Sequence, residues 1–258
     1  MTETAQLDDV HLAPLADRRA LVTGGSRGIG AAIVRRLAAD GAAVAFTYRE
    51  GKGPATDLEQ EIIDSGGMAR AFQADSEDPE AIRSAISETV DGFGGLEILV
   101  NNAGTSHMAP IDEFPLAEYD RILAVNVRAV FVAIQAALPH LGAGGRIISI
   151  GSVLADRAPI SSGIGVYSLS KAAIAGLTRS LARELGPRGI TVNTVQPGPV
   201  DTDMNPDSGE FADAVRSATA VGHYAQPEDI ANAVAFLARA EARFVTGAAW
   251  NVDGGYAL

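Results

Sequence analysis

The sequence predicts a single α/β domain, a doubly wound parallel sheet of about seven strands with helices on both faces. Two observations lead there. Short β-branched runs alternate with amphipathic segments from end to end, the pattern that parallel strands and their crossovers require. No linker, repeat or low-complexity tract divides the 258 residues, a length that one core can serve.

Residues 1 to about 16 read as a loose arm, without the basic start and apolar core of an export leader. The domain then spans 17–258. Strands are expected at "RALVT" (19–23), "AVAFT" (43–47), "ARAFQ" (69–73), "LEILVN" (96–101), "GRIISI" (145–150), "ITVNTVQ" (190–196) and "GAAWNV" (247–252). Each is a short run suited to a buried strand. Helical periodicity fills the intervals near 28–39, 54–66, 78–92, 115–140, 166–186 and 227–240. The stretch 201–226 shows no regular element, and irregular segments of that length in compact domains are usually functional.

Composition removes several classes. A net charge of -12 argues against a nucleic-acid partner, which needs a basic face. The absence of cysteine excludes disulfides, thiolate nucleophiles and zinc knuckles, and fits a cytoplasmic setting. No apolar run approaches the roughly 18 residues of a membrane span. His11, His107, His140 and His223 lack ligand spacing, so no metal is expected; His107 and His223 stay as candidates for a pocket wall.

In open parallel sheets ligands sit outside the carboxyl ends of the strands. Directly after the first strand comes "TGGSRGIG" (23–30), running into a helix whose Ile29, Ile33 and Leu37 face inward. Glycines there let backbone amides approach a pyrophosphate, while the helix dipole favours its charge. Such a turn also serves as a plain tight connection. The end of a second strand about 20 residues on, where a dinucleotide site selects its ribose contact, favours the first use. Gly24, Ser26, Arg27, Gly28, Ile29 and Gly30 are therefore cofactor candidates. At that second strand end stands Tyr48, and Arg27 with Arg49 would place two guanidinium groups near a 2'-phosphate. NADP(H) is the expected cofactor.

A second feature is "VYSLSKAAIAG" (166–176), opening a helix whose apolar stripe is Ile174, Leu177, Leu181 and Leu185. Projected backwards, the stripe puts Tyr167 and Lys171 on one buried face, one turn apart. A free phenol has a pKa of about 10, and bringing it to about 7 takes roughly 4 kcal/mol of differential stabilisation, which a neighbouring ammonium would help to provide.

With "TGGSRGIG", "NNAG" (101–104), Ser152 after the fifth strand and "YSLSK" (167–171) in this order, residues 18–256 resemble the short-chain dehydrogenases/reductases, ketoreductase-like branch. "PGPVDTDMNP" and "GAAWNVDGG" strengthen the likeness. The resemblance implies a Rossmann-type fold and reduction of a ketone or aldehyde, or the reverse. Ser152 would hold the substrate carbonyl, Tyr167 transfer the proton, and Lys171 support both the phenol and the nicotinamide ribose. Asn126 resembles the fourth catalytic residue, which links a water to the lysine. Asp75, with Ser76, resembles the adenine contact; Asn101, Ala103 and Gly104 the wall beside the adenosine ribose; Pro197, Gly198, Val200 and Thr202 the segment holding the carboxamide. Some relatives in that neighbourhood are nucleotide-binding regulators, which is the alternative function. The Ser152 to Tyr167 spacing is longer than is usual in the family, so the loop between them must bulge outward.

Two further expectations follow. The loop 153–166 and a lid at 203–226, with Met204, Phe211, Val215, Val221 and Tyr224, should border the substrate and leave the adenosine half alone; a surface helix with one buried face is the alternative for 203–226. The almost wholly apolar helix "VRAVFVAIQAAL" (127–138) implies a homo-oligomer, and the resemblance points to a homotetramer.

Overall fold

The computed structural model describes residues 13–158, 160 and 162–258; His11 and the first 12 residues lie outside the described residues. Seven strands form: β1 (Arg19–Val22), β2 (Ala43–Tyr48), β3 (Met68–Gln73), β4 (Ile98–Asn101), β5 (Arg146–Ile150), β6 (Thr191–Pro197) and β7 (Ala249–Val252). They lie side by side in the order β3-β2-β1-β4-β5-β6-β7. Every neighbouring pair is parallel. The connections are α1 (Gly28–Ala39), α2 (Lys52–Asp64), α3 (Pro79–Phe93), α4 (Leu116–Leu123), α5 (Ala129–Ala137), α6 (Gly165–Leu185), α7 (Glu210–Ala218) and α8 (Pro227–Ala238). No described helix is long and apolar enough to cross a membrane.

The five inner strands β2, β1, β4, β5 and β6 are buried at nearly every position because helices cover both faces. Alternate side chains in β1 part company accordingly: Ala20 and Val22 join α1, α2 and α8 in one core, while Leu21 joins α3, α5 and α6 in the other. β1 and β4 are neighbours although three helices separate them in the chain. The connections leave them toward opposite faces, and that divergence opens a crevice above their carboxyl ends.

Four details depart from the sequence reading. The arm does not extend to residue 16: Leu15 is 1% exposed, and its N–H donates to the Asp40 carbonyl (2.8 Å). The carboxylate of Asp40 is held in turn by Arg239 (2.7 Å), so the entry of the chain is tied to the end of α1 and the end of α8. The segment 115–140 is not one helix; a π turn at Ala124–Arg128 separates α4 from α5. The stretch 201–226 contains α7, whose Ala212 and Val215 are buried and whose Phe211 is 52% exposed. Finally, most of 127–138 is covered by its own chain. Val130, Val132, Ala133, Ile134 and Ala137 are buried, and Phe131 alone of its large apolar residues stands well exposed.

Because Leu15 fills a closed site, Leu15→Ala should lower unfolding free energy by about 2–5 kcal/mol. Urea denaturation monitored by fluorescence of Trp250 checks this, and an unchanged midpoint would place Leu15 outside the core.

Candidate active site

The crevice begins with the glycine turn. Gly24 (φ +64°) and Gly28 (φ +51°) occupy left-handed backbone that side chains disfavour. A Cβ on Gly25 would fall 2.5 Å from the Phe46 Cβ, and one on Gly30 would come within 2.6 Å of Asn102 Nδ2. The turn thus lies flat against β2 and β4. Gly24 N–H donates to Thr47 Oγ1 (3.0 Å) and Gly25 N–H to the Thr47 carbonyl (2.8 Å). Arg27 stands at the N-cap of α1 and provides no side-chain cap, so the first amides of the helix keep their hydrogen-bonding capacity. A glycine cradle leading into uncapped amides fits the pyrophosphate of a dinucleotide. Ser26 is half-buried in this cradle. Ile29 packs against the core and is partly buried.

The opposite wall is built by a residue that the sequence reading passed over. Asn102, rather than Asn101, sews the turn to the end of β4. Its Nδ2 donates to the carbonyls of Thr23 (3.0 Å) and Gly24 (2.8 Å). Thr23 Oγ1 accepts from the amides of Asn102 (3.0 Å) and Ala103 (3.1 Å). The signal was present in the doubled asparagine of "NNAG", but strand periodicity cannot tell which amide turns toward the neighbouring strand. Asn101 is 3% exposed with Nδ2 donating to Ser149 Oγ (3.3 Å). Its side chain therefore lies inside the sheet, while Ala103 and Gly104 line the crevice side of the turn.

At the end of β5 the structure brings Ser152, Tyr167 and Lys171 together. Lys171 is 5% exposed; its Nζ donates to the Ile150 carbonyl (2.8 Å) and lies 5.5 Å from the centroid of the Tyr167 ring. Burial lowers Lys171 to about 8. Burial also pushes the Tyr167 phenol up, and its hydrogen bond with Ser152 pulls partly the other way. Burial outweighs the Ser152 bond, so in the protein without cofactor the phenol stays above its ordinary range.

Asn126 sits in the π turn, a distortion common at functional positions. Its Oδ1 accepts from Thr105 N–H (2.9 Å), and its Nδ2 donates to the Thr105 carbonyl (2.9 Å) and Ser170 Oγ (3.0 Å). Ser170, also missed, donates to the Tyr167 carbonyl (2.6 Å) and so joins Asn126 to the helix that carries Tyr167 and Lys171. A Cβ on Gly104 would be 3.6 Å from both Asn126 Oδ1 and Lys171 Nζ, so these two groups flank one point of the crevice. The loop after Ser152 is tied to its surroundings: Asp156 accepts from Gln196 Nε2 (2.9 Å), and the Gly163 carbonyl from Ala109 N–H (3.1 Å).

The remaining candidates divide. Tyr48 is buried at the end of β2, while Arg49 is half-exposed with Nε 3.3 Å from Glu50. Arg27 is well exposed, and its Nη1 lies 3.6 Å from Asp203. Asp75 braces its own loop, its Oδ1 accepting from Glu77 N–H (2.9 Å), with Ser76 half-buried beside it. Pro197 closes β6; a Cβ on Gly198 would meet Asp253 at 2.6 Å, and Val200 is buried. The Thr202 methyl stands over Gly28, within 3.4 Å of where a Cβ would be. Asp203, the first residue of the expected lid, also reaches the glycine turn through its pair with Arg27, because Asp201 N–H donates to the Ala225 carbonyl and Ala225 N–H to the Pro199 carbonyl, which turns the chain back across it. Of the histidines, His107 packs edge-on to Phe114, 3.9 Å from Glu118, and His223 Nδ1 lies 2.8 Å from the Tyr224 carbonyl.

A switch-point crevice with a glycine cradle at one strand end and a serine, phenol and ammonium at another defines a dinucleotide-dependent α/β protein. Residues 24–257 match the family described as Enoyl-(Acyl carrier protein) reductase. The chain is 46% identical, over 236 residues (92% of its length and 95% of the relative's), to the cyclic-di-GMP-binding biofilm dispersal mediator protein of Escherichia coli. A dehydrogenase/reductase from Sinorhizobium meliloti superposes with a TM-score of 0.94 at 56% identity, covering 96% of this chain and 98% of that one. A short chain dehydrogenase from Burkholderia cenocepacia, solved in complex with NADP, gives 0.93 at 53% identity, covering 95% and 100%. The chain belongs to the short-chain dehydrogenase/reductase family of oxidoreductases.

The buried ammonium has a consequence for stability. Lys171 holds its proton less tightly folded, at about 8, than its ordinary 10.5, so between those values the unfolded chain binds more protons and stability rises with pH. Below that window the buried charge costs on the order of 3 kcal/mol. Relative to Lys171→Met, the wild-type chain without added cofactor should therefore gain stability from neutral pH to about pH 10.5, by an amount of that order. Paired urea titrations across the range measure the difference; a flat difference would mean that the folded lysine titrates normally.

Proposed function

We propose that the chain is an NADPH-dependent carbonyl reductase, converting a ketone or aldehyde to an alcohol and, under reversed conditions, the alcohol back. The observation that carries this reading is the meeting of Ser152, Tyr167 and Lys171 at the end of β5, with Asn126 joined to the same helix through Ser170. A protein that only binds nucleotides has no use for a buried ammonium beside a phenol.

Gly24, Ser26, Gly28 and the amides of Ile29 and Gly30 would hold the pyrophosphate, with Arg27 and Arg49 at the 2'-phosphate. Tyr48, Asp75 and Ser76 fall to the adenosine side, Ala103 and Gly104 to the ribose, and Pro197 through Thr202 to the carboxamide. The bound nicotinamide supplies or accepts the hydride. The Ser152 hydroxyl orients the substrate oxygen, and the Tyr167 phenol gives its proton to that oxygen as the alcohol forms. The phenolate left behind faces the Lys171 ammonium, whose protonated form at about 8 suits it to stabilise that charge near neutral pH. Burial raises the Tyr167 phenol further above its ordinary range, so it meets the substrate as a proton donor.

Arg27 is paired only with an exposed carboxylate at 3.6 Å, an interaction worth at most about 1 kcal/mol. A phosphate offers a charge-assisted, bidentate partner and displaces it readily. The setting implied is cytoplasmic and homo-oligomeric, assembling through a face that includes Phe131 and Leu169, which are 53% and 50% exposed. A second reading, a nucleotide-binding regulator, is favoured by the likeness to the biofilm dispersal mediator; in it the phenol would be dispensable.

Tyr167→Phe should reduce carbonyl turnover by at least about 1,000-fold while NADPH affinity changes little, since it removes the transferable proton and almost no volume. Single-turnover absorbance and fluorescence titration separate the two, and a variant keeping more than about a tenth of wild-type turnover would exclude Tyr167 as the acid. In the wild type NADPH should be used in preference to NADH, and Arg27→Ala with Arg49→Ala should lower the ratio of the two kcat/KM values by about tenfold or more. Equal kcat/KM for both cofactors in the wild type would refute the arginine assignment.

A further inference from the structure

Three segments converge on the mouth above Ser152 and Tyr167. The first, 105–118, starts at Thr105 on the Asn126 amide and touches the second, 153–166, through the Ala109 to Gly163 hydrogen bond. The third, 200–226, begins with Thr202 over Gly28 and lays α7 against Val153, the residue after Ser152, in a cluster with Val215, Tyr224 and Tyr256. Any substrate that reaches Tyr167 must pass these segments.

Their surface chemistry is unlike the rest of the molecule. They make up about a fifth of the chain yet carry half of the exposed large apolar residues among the described residues, including Met108 (55%), Ile111 (80%), Met204 (60%) and Phe211 (52%). In the same segments the sequence has nine aspartates and glutamates and only two arginines. Neither arginine is free: Arg216 bridges Asp207 and Asp213, and Arg157 donates to the Leu258 carbonyl (3.1 Å) while lying over the Tyr256 ring. Close by, Arg121 is held by Glu118 and Thr105. Lysine offers no alternative, since the chain has just two, Lys52 on α2 and the catalytic Lys171. Meanwhile Asp112, Glu113 and Glu210 point into solvent at the rim.

We propose that the substrate is an uncharged, apolar ketone or aldehyde taken free from solution, and that the mouth rejects acyl groups delivered on an anionic carrier, whether a phosphate-bearing thiol or an acidic protein. The proposal rests on the carbonyl-reductase reading and deepens it. An anionic carrier needs lysines or arginines around the entrance to hold its phosphates or carboxylates. Here it meets carboxylates that repel it and apolar side chains that return nothing for the desolvation of its charge. An uncharged apolar carbonyl compound instead gains by covering Met108, Ile111, Met204 and Phe211, and is indifferent to the charge.

The experiment presents one β-ketoacyl group in two forms at saturating NADPH, as the uncharged N-acetylcysteamine thioester and as the anionic coenzyme A thioester. The uncharged form should be reduced with a kcat/KM at least about tenfold higher. Raising the salt from about 20 to about 300 mM should raise kcat/KM severalfold for the coenzyme A form and leave the uncharged form nearly unchanged, because screening weakens repulsion only for the charged substrate. Neutralising the rim with Asp112→Asn, Glu113→Gln and Glu210→Gln together should narrow the gap at least about threefold while the uncharged thioester keeps its rate. Equal or better use of the coenzyme A form, or a kcat/KM that falls with salt for it, would overturn the charge argument and leave the reductase reading intact. No turnover of either thioester or of simple apolar ketones, with NADPH binding retained, would overturn the reductase reading and the proposal with it.

Discussion

An ammonium cannot lie beneath a protein surface without partners, and the site is organised around meeting that demand for Lys171. Burial alone moves it from 10.5 to about 8, so the fold carries a standing electrostatic cost that its neighbours only partly offset. One partner is the Ile150 carbonyl, the last of β5. That bond pins α6 to the strand end from which Ser152 emerges, and with α6 comes Tyr167, one turn before the lysine. The hydrogen bonds from Asn126 through Ser170 to the Tyr167 carbonyl hold the same helix from the other side. Serine, phenol and ammonium are therefore positioned by one constraint.

The crevice has opposite electrostatic character at its two ends. At the glycine turn, amides left uncapped stand beside the exposed Arg27 guanidinium. At the mouth, carboxylates outnumber arginines and the arginines are already occupied. An acidic chain can bind an anionic dinucleotide under these conditions because the attraction is local: short-range amides and exposed guanidinium groups act within a few ångströms, while the net charge is screened over about 10 Å. Asp203 joins the two ends, since it belongs to the mouth segment and pairs with the arginine of the turn.

Much of the site was legible in the sequence because it is encoded by local rules. Gly24 and Gly28 mark backbone that only glycine adopts without strain, Gly25 and Gly30 mark close approaches to neighbouring strands, and Tyr167 with Lys171 share a helix face at a spacing that geometry fixes. Less legible were the residues whose roles depend on a neighbour far along the chain. Asn102 and Thr23 act across the gap between β1 and β4; Thr47 accepts from Gly24 only because β2 lies beside β1. Nothing in "NNAG" distinguishes the amide that enters the sheet from the one that crosses to the turn. The break in 115–140 was invisible for a similar reason: a π turn leaves the apolar period nearly intact while redirecting Asn126 toward Thr105 and Ser170.

By itself the sequence determined the alternation of strands and helices, the one-domain sheet, the place of the glycine turn and the shared helix face of Tyr167 and Lys171, because all of these are set by periods of two and 3.6 residues and by turn chemistry, while Ser152 was marked only by its place in the ordered motifs of the family it resembles. The tertiary structure alone decided which apolar helix faces remain exposed: most of 127–138 was claimed by α3 and the sheet, whereas one face of α7 packed onto Val153 and left Phe211 outside. It decided that Leu15 belongs to the core, that Thr202 and Asp203 fold back over the glycine turn, and that burial pushes the Tyr167 phenol up. Each of these outcomes depends on distances between residues remote in sequence, and packing and desolvation respond to those distances, whereas local propensity does not.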